Sequence, residues 1–207
     1  MNEQRPDFSK YLAHFTSDSD NESNNDLSDS SAFEKLISIL EDQTVVASIL
    51  PWVNRKAVCF TECPWASLID HAEHYSPYGL GFTKPHVFAS GGSPAYYVRP
   101  DHWEKQDWDD HVKTFATPFW PAYRPVSRRG DEYLDGQTID YSQEREWRVP
   151  HNFNFDFDQV SFVIVDTYKD VARFPKKLKD EIGRENFLIM DVYRKIETLW
   201  PVHNVAT

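Results

Sequence analysis

Apolar residues along this chain come in short bursts, and their spacing changes from burst to burst. Tyr11-Leu12-Ala13-His14-Phe15-Thr16 reads as a strand. From Ala32 to Glu41, Phe33, Leu36, Ile37 and Leu40 fall at helical spacing behind Ser30 or Ser31 as the cap. Val45 to Leu50 predicts a short strand and Ala57 to Phe60 a buried one. Pro64 suits the first turn of a helix, where its missing N–H costs nothing. Trp65, Leu68, Ile69 and Ala72 continue that helix as an apolar stripe, with His71 and Tyr75 on a flanking face. Tyr78 to Phe82 and Ala95 to Val98 read as strands joined by the turn-rich Ser90-Gly91-Gly92-Ser93-Pro94.

Asp101 to Phe115 predicts a charged helix, and Thr117 to Gly130 a proline- and arginine-rich loop. Trp147 to Val149, Val160 to Val165 and Phe187 to Met190 predict strands, with a helix over Lys169 to Ile182 despite Pro175. Short strands mixed with irregularly placed helices predict an α+β fold with a mixed or antiparallel sheet, as one domain over residues 1–207. Within it, residues 17–31 are almost wholly Ser, Asp, Asn and Glu and predict a disordered acidic loop.

The chain has 207 residues, enough to bury a sizeable core. A net charge of -11 and a pI near 5.1 argue against general nucleic-acid binding, which needs a basic face. Arg124, Arg128 and Arg129 could still form a local basic pocket. Neither a signal-peptide pattern nor an apolar run long enough to span a bilayer is present, so a cytoplasmic protein with no membrane partner is expected. Cys59 and Cys63, four apart, do not suggest a disulfide framework.

Chemistry-bearing residues gather at the ends of the Pro64 helix: Thr61 and Glu62 at one junction, His71, His74, Tyr75 and Tyr78 at the other. Packing alone does not ask for titratable groups at both ends, so this reads as the wall of a small-molecule or nucleotide pocket. Glu144-Arg145-Glu146-Trp147-Arg148 is the densest polar cluster. In a continuous strand Glu144 and Glu146 share a face and Arg145 takes the other. Two such carboxylates can serve cleavage of a bond to a sugar; the alternative is a solvated edge strand. His14, mid-strand, is either a catalytic group or a satisfied core histidine. Gly79-Leu80-Gly81 lacks the third glycine and following helix of a dinucleotide fingerprint, and more simply allows close backbone approach to a strand or a ligand. Cys59, Cys63, His71 and His74 are poorly spaced for zinc, so no metal site is expected. Phe119-Trp120-Pro121-Ala122-Tyr123-Arg124 reads either as a base-stacking lip or as a hydrophobic cluster under a loop.

Taken in order, Tyr11 to Thr16, Cys59-Phe60-Thr61-Glu62, His71 to Lys84, Pro94 to Val98 and Glu144 to Arg148 resemble the abortive-infection AbiGi antitoxin family. The resemblance covers most of residues 8–165, with residues 17–31 as an insertion. It implies phage defence or a toxin–antitoxin setting, with a toxin, an antitoxin or a phage protein as partner. A more distant similarity to ADP-ribosyltransferases rests on the order His14, Tyr78, Glu146 and on the glycine-aromatic strand Tyr78 to Phe82.

That second likeness implies an ADP-ribosyltransferase-like fold and an enzyme that cleaves NAD at the nicotinamide–ribose bond. His14 would then bind the nicotinamide ribose and Tyr78 stack on the nicotinamide, with Phe82 and Thr61 completing the cofactor-binding residues. Glu146 would stabilise the oxocarbenium-like transition state, and Glu144 would activate the acceptor or water. The competing expectation is a non-catalytic antitoxin or sensor module. The two differ in space: the enzyme needs His14, Tyr78 and Glu146 in one pocket, whereas the binding module does not.

Overall fold

The computed structural model describes residues 9–18, 31–62, 68–69, 72, 75–120 and 139–200. Its centre is a sheet of eight strands. Seven run in the order β12 (Phe187–Ile189), β11 (Phe162–Val165), β5 (Gly79–Thr83), β1 (Tyr11–Phe15), β4 (Arg55–Thr61), β9 (Glu146–Val149) and β6 (Ser93–Pro94), and β3 (Ser48–Leu50) pairs with β4 off that path. Among the described residues, only β11 and β12 pair in parallel in this sheet; the remaining pairs are antiparallel. The fold is therefore α+β with a large, mixed, mostly antiparallel sheet. The parallel pair needs a crossover, supplied by the helices Tyr168–Arg173 and Lys176–Ile182. Two small sheets flank the main one: β10 (Phe153–Asn154) with β2 (Thr44–Val45), and β7 (Tyr96–Val98) with β8 (Ala116–Pro118).

Side-chain alternation divides the main sheet into two faces. Leu12, Val58, Phe60, Leu80, Phe82, Val149, Val163 and Val165 form the larger core. The helix Ala32–Asp42 closes it with Phe33, Leu36 and Leu40, and Phe174, Leu178 and Ile182 come from the crossover helices. Ser31 starts the Ala32–Asp42 helix with a reciprocal cap, accepting from the Glu34 N–H while its own N–H donates to the Glu34 carboxylate. The opposite face holds a smaller cluster: Ala13, Ile164, Leu68, Ala72 and Met190.

Several elements depart from the sequence expectation. The helix expected over Asp101 to Phe115 is two short ones, Pro100–Trp103 and Asp110–Lys113. Pro175 splits the helix expected over Lys169 to Ile182, because it lacks the N–H a continuous helix needs. The helices Lys84–Ala89 and Met190–Leu199 were not expected at all. Residues 19–30 of the acidic tract, most of the Pro64 helix and residues 121–138 lie outside the described residues, and with them Cys63, His71, His74, Arg124, Arg128 and Arg129. No helix among the described residues is long and apolar enough to cross a membrane.

Candidate functional site

Register decides which predicted site residues can meet. Ala13 pairs with Thr61, and Thr61 pairs with Glu146, so these three share the smaller-cluster face. His14 pairs with Leu80 and points with it to the larger core. There its Nδ1 lies 2.8 Å from the Cys59 carbonyl oxygen and its ring packs edge-on to Phe60. Burial pushes its imidazole below the ordinary value, opposed by its hydrogen bond to the Cys59 carbonyl. His14 and Glu146 thus occupy opposite faces of the sheet.

Tyr78 also belongs to the larger-core side, at the end of the sheet beside Phe33 and Asp170. Burial first, then the Asp170 carboxylate, push its hydroxyl up to about 12. Asp170 itself accepts from the Thr167 N–H and hydroxyl and from Arg173. Phe82 is a core residue, fully buried among the rings of Phe60, Phe153 and Phe155. The three residues expected to hold and cleave NAD are therefore not assembled in one pocket, and Phe82 does not line one.

What the sheet does assemble is a polar cluster on the smaller-cluster face. Glu144 ends a single 3-10 turn, Ser142–Glu144, and Arg145 takes a left-handed conformation (φ 46°) before β9 begins. This kink, not a continuous strand, brings Glu144 to the side of Glu146 and sends Arg145 the other way, to 4.0 Å from Glu62. The Thr61 hydroxyl donates to the Glu144 carbonyl oxygen at 2.5 Å, and the Tyr75 hydroxyl donates to the Glu144 carboxylate at 2.8 Å. Burial, reinforced by Glu144, pushes the Tyr75 phenol well above its ordinary value. Glu62, by contrast, lies on the Trp147 side, accepting from the Trp147 indole and pairing with Lys84.

Glu146 is held from several directions. Arg148 Nε and Nη2 donate to its two oxygens, each at 2.8 Å, and the other terminal nitrogen of Arg148 donates to the Thr114 and Ala116 carbonyls. Arg148 is buried at 6% exposure, so this is a desolvated, bidentate pair. The backbone N–H of Glu146 donates to the Tyr97 hydroxyl, and its carbonyl accepts from Ala95. Cys59, in register with Arg148, lies within the field of the Glu146 carboxylate. Burial, then the Glu146 charge, push its thiol well up, which argues against a cysteine nucleophile.

The glycines of β5 serve the sheet rather than a ligand. A Cβ on Gly79 would lie 2.5 Å from the His14 carbonyl oxygen, and one on Gly81 would collide with the Phe162 ring. Sequence reasoning named Glu144, Glu146 and Thr61 but gave no role to Arg148 or Tyr97. Arg148 carried a signal, an arginine two residues from a glutamate on a half-buried strand; Tyr97 carried none. Among the described residues no three His, Cys, Asp or Glu side chains are grouped to hold a metal ion. No protein-family model, curated protein or solved structure matches the chain.

Proposed function

We propose that this chain is a non-catalytic recognition component of a phage-defence system, in the setting its AbiGi-like motifs suggest, acting by binding a phage or toxin protein. The observation that supports this reading is the division of the expected NAD-binding residues between the two faces of the sheet. The Glu146–Arg148 pair supports it too. A carboxylate already neutralised by two charge-assisted hydrogen bonds is poorly placed to stabilise a developing sugar cation. A surface fit for a partner is present on the helix Met190–Leu199, where Val192, Ile196, Leu199 and the following Trp200, 80% exposed, recur at helical spacing.

Nicotinamide release from NAD, followed with the pure protein, tests this reading. The expected outcome is release no faster than in the protein-free control. Release that Glu146→Gln removes would overturn it. In a host carrying the defence system, Ile196→Asp with Trp200→Ala should abolish protection against phage while the isolated protein remains folded.

One observation favours a second reading, an ADP-ribosyltransferase-like enzyme that cleaves NAD on the other face. Glu144 and Glu146 flank one stretch of sheet with the Tyr75 and Tyr97 hydroxyls beside them. Here His14, Tyr78 and Phe82 lose their roles, and Glu144 takes the proton from water or an acceptor. The same nicotinamide measurement separates the two readings.

A further inference from the structure

Three tryptophans pack together outside both buried clusters. Trp52 follows β3; Trp103 ends the helix Pro100–Trp103; Trp108 lies between that helix and Asp110–Lys113. Trp103 and Trp108 are nearly parallel, with ring centroids 4.9 Å apart and planes at 21°, and Trp52 lies 4.9 Å from Trp103 on a tilted plane. The Trp108 indole N–H donates to the Trp103 carbonyl oxygen at 2.8 Å, which fixes the angle of the outer ring. None of the three belongs to either buried cluster. Beside them opens a cavity of about 270 Å³ lined by Trp103, Trp108, Glu104, Gln106, Asp107 and Lys113.

We propose that this cavity binds an organic cation, an alkylated ammonium or a guanidinium, with its charge over the tryptophan rings and beside Asp107 and Glu104. Indole offers the strongest cation-attracting ring face among side chains. The carboxylates add Coulomb attraction of the same sign, and the net charge of -11 raises the local concentration of cations. The ammonium of Lys113 faces the same cavity, but at 3.0 Å from Asp110 it is already paired, and Asp110 is also held by Arg55 at 2.7 Å. The lining carboxylates Glu104 and Asp107 would each repel a phosphate, so a nucleotide is disfavoured. The head group could belong to a free small molecule or to a basic side chain of a peptide; the chemistry recognised is the same. This site is remote in sequence from the Glu144–Glu146 cluster and does not depend on either functional reading.

Titration of the full chain, 15N-labelled and followed through its indole N–H resonances, tests this. The probes are choline, its neutral isostere 3,3-dimethylbutan-1-ol, and a short lysine- and arginine-bearing peptide. Choline or the peptide should shift the Trp103 and Trp108 resonances saturably, weakening as salt rises. The tighter of the two identifies the source of the cation. Trp108→Leu should weaken binding by about two- to thirtyfold, the span expected for one cation–ring contact. Asp107→Asn, at an exposed position that leaves the fold intact, should weaken it too. Equal binding of the neutral isostere, or no saturable shift with either cation, would overturn the proposal.

Discussion

The carboxylate of Glu62 and the ammonium of Lys84 meet at 2.6 Å, and their side chains are only 11% and 13% exposed. The pair links the end of β4 to the first residue of the helix Lys84–Ala89, and the Trp147 indole N–H donates to the other Glu62 oxygen. Removing one partner strands a buried charge. Glu62→Ala should therefore lower the unfolding free energy by about 3–5 kcal/mol in denaturant titrations. The double change Glu62→Leu with Lys84→Met should lose less than the sum of the single changes, because it strands neither charge. Additive losses would contradict this.

Arg148 and Glu146 present the same balance deeper in the sheet. Arg148→Ala leaves the Glu146 carboxylate without its bidentate partner and the Thr114 and Ala116 carbonyls without a donor. A loss of about 3–5 kcal/mol is expected. Glu146→Gln, which keeps shape and one acceptor, should destabilise less. A larger effect for Glu146→Gln than for Arg148→Ala would show that the carboxylate, not the guanidinium, organises this corner.

Gly79→Ala pushes a methyl group against the His14 backbone carbonyl, which cannot rotate away as a side chain could. A loss of about 1–3 kcal/mol is expected. The atoms nearest a methyl group at Gly81 all belong to the ring of Phe162, so adding Phe162→Leu should recover part of the Gly81→Ala loss, while the Gly79→Ala loss should not respond to that change.

His14 and His86 give the fold a pH dependence with a definite sign. Burial lowers both imidazoles in the folded state, opposed at His14 by the Cys59 carbonyl and at His86 by Asp158 and Asp156. Unfolded, each takes up a proton near pH 6.5. Below that pH the unfolded chain binds more protons than the folded one. This stability is complete above about pH 6.5 and is lost as the pH falls toward the lower folded values. Urea midpoints should fall between pH 7.5 and 5.5, and His14→Gln with His86→Phe should flatten that slope. An equal slope in the double variant would assign it to other groups.

Much of the strand pattern was legible because alternation and β-branched bursts are local signals. The Ala32–Asp42 helix was likewise read from spacing and its serine cap. The helix Lys84–Ala89 is too short to show a hydrophobic period, although Thr83, whose hydroxyl accepts from the His86 N–H, and Pro85 in the first turn mark its start. Parity along a strand correctly paired Glu144 with Glu146 in direction, but the chain achieves this through the left-handed turn at Arg145. Nothing local could relate His14 to Glu146, because their faces are set by pairing through Thr61, and register between distant strands is fixed only when the sheet assembles.

The strand β6 is two residues long, and one of them is Pro94. Sitting at the end of the strand order, it offers no backbone N–H at Pro94 for another chain to grasp. Beyond it the main chain turns away, with the Ala95 N–H already committed to the Glu146 carbonyl. This rim of the sheet is thereby closed to strand-by-strand growth, the first step of aggregation in β-rich proteins, and Pro94→Val is the substitution that would reopen it.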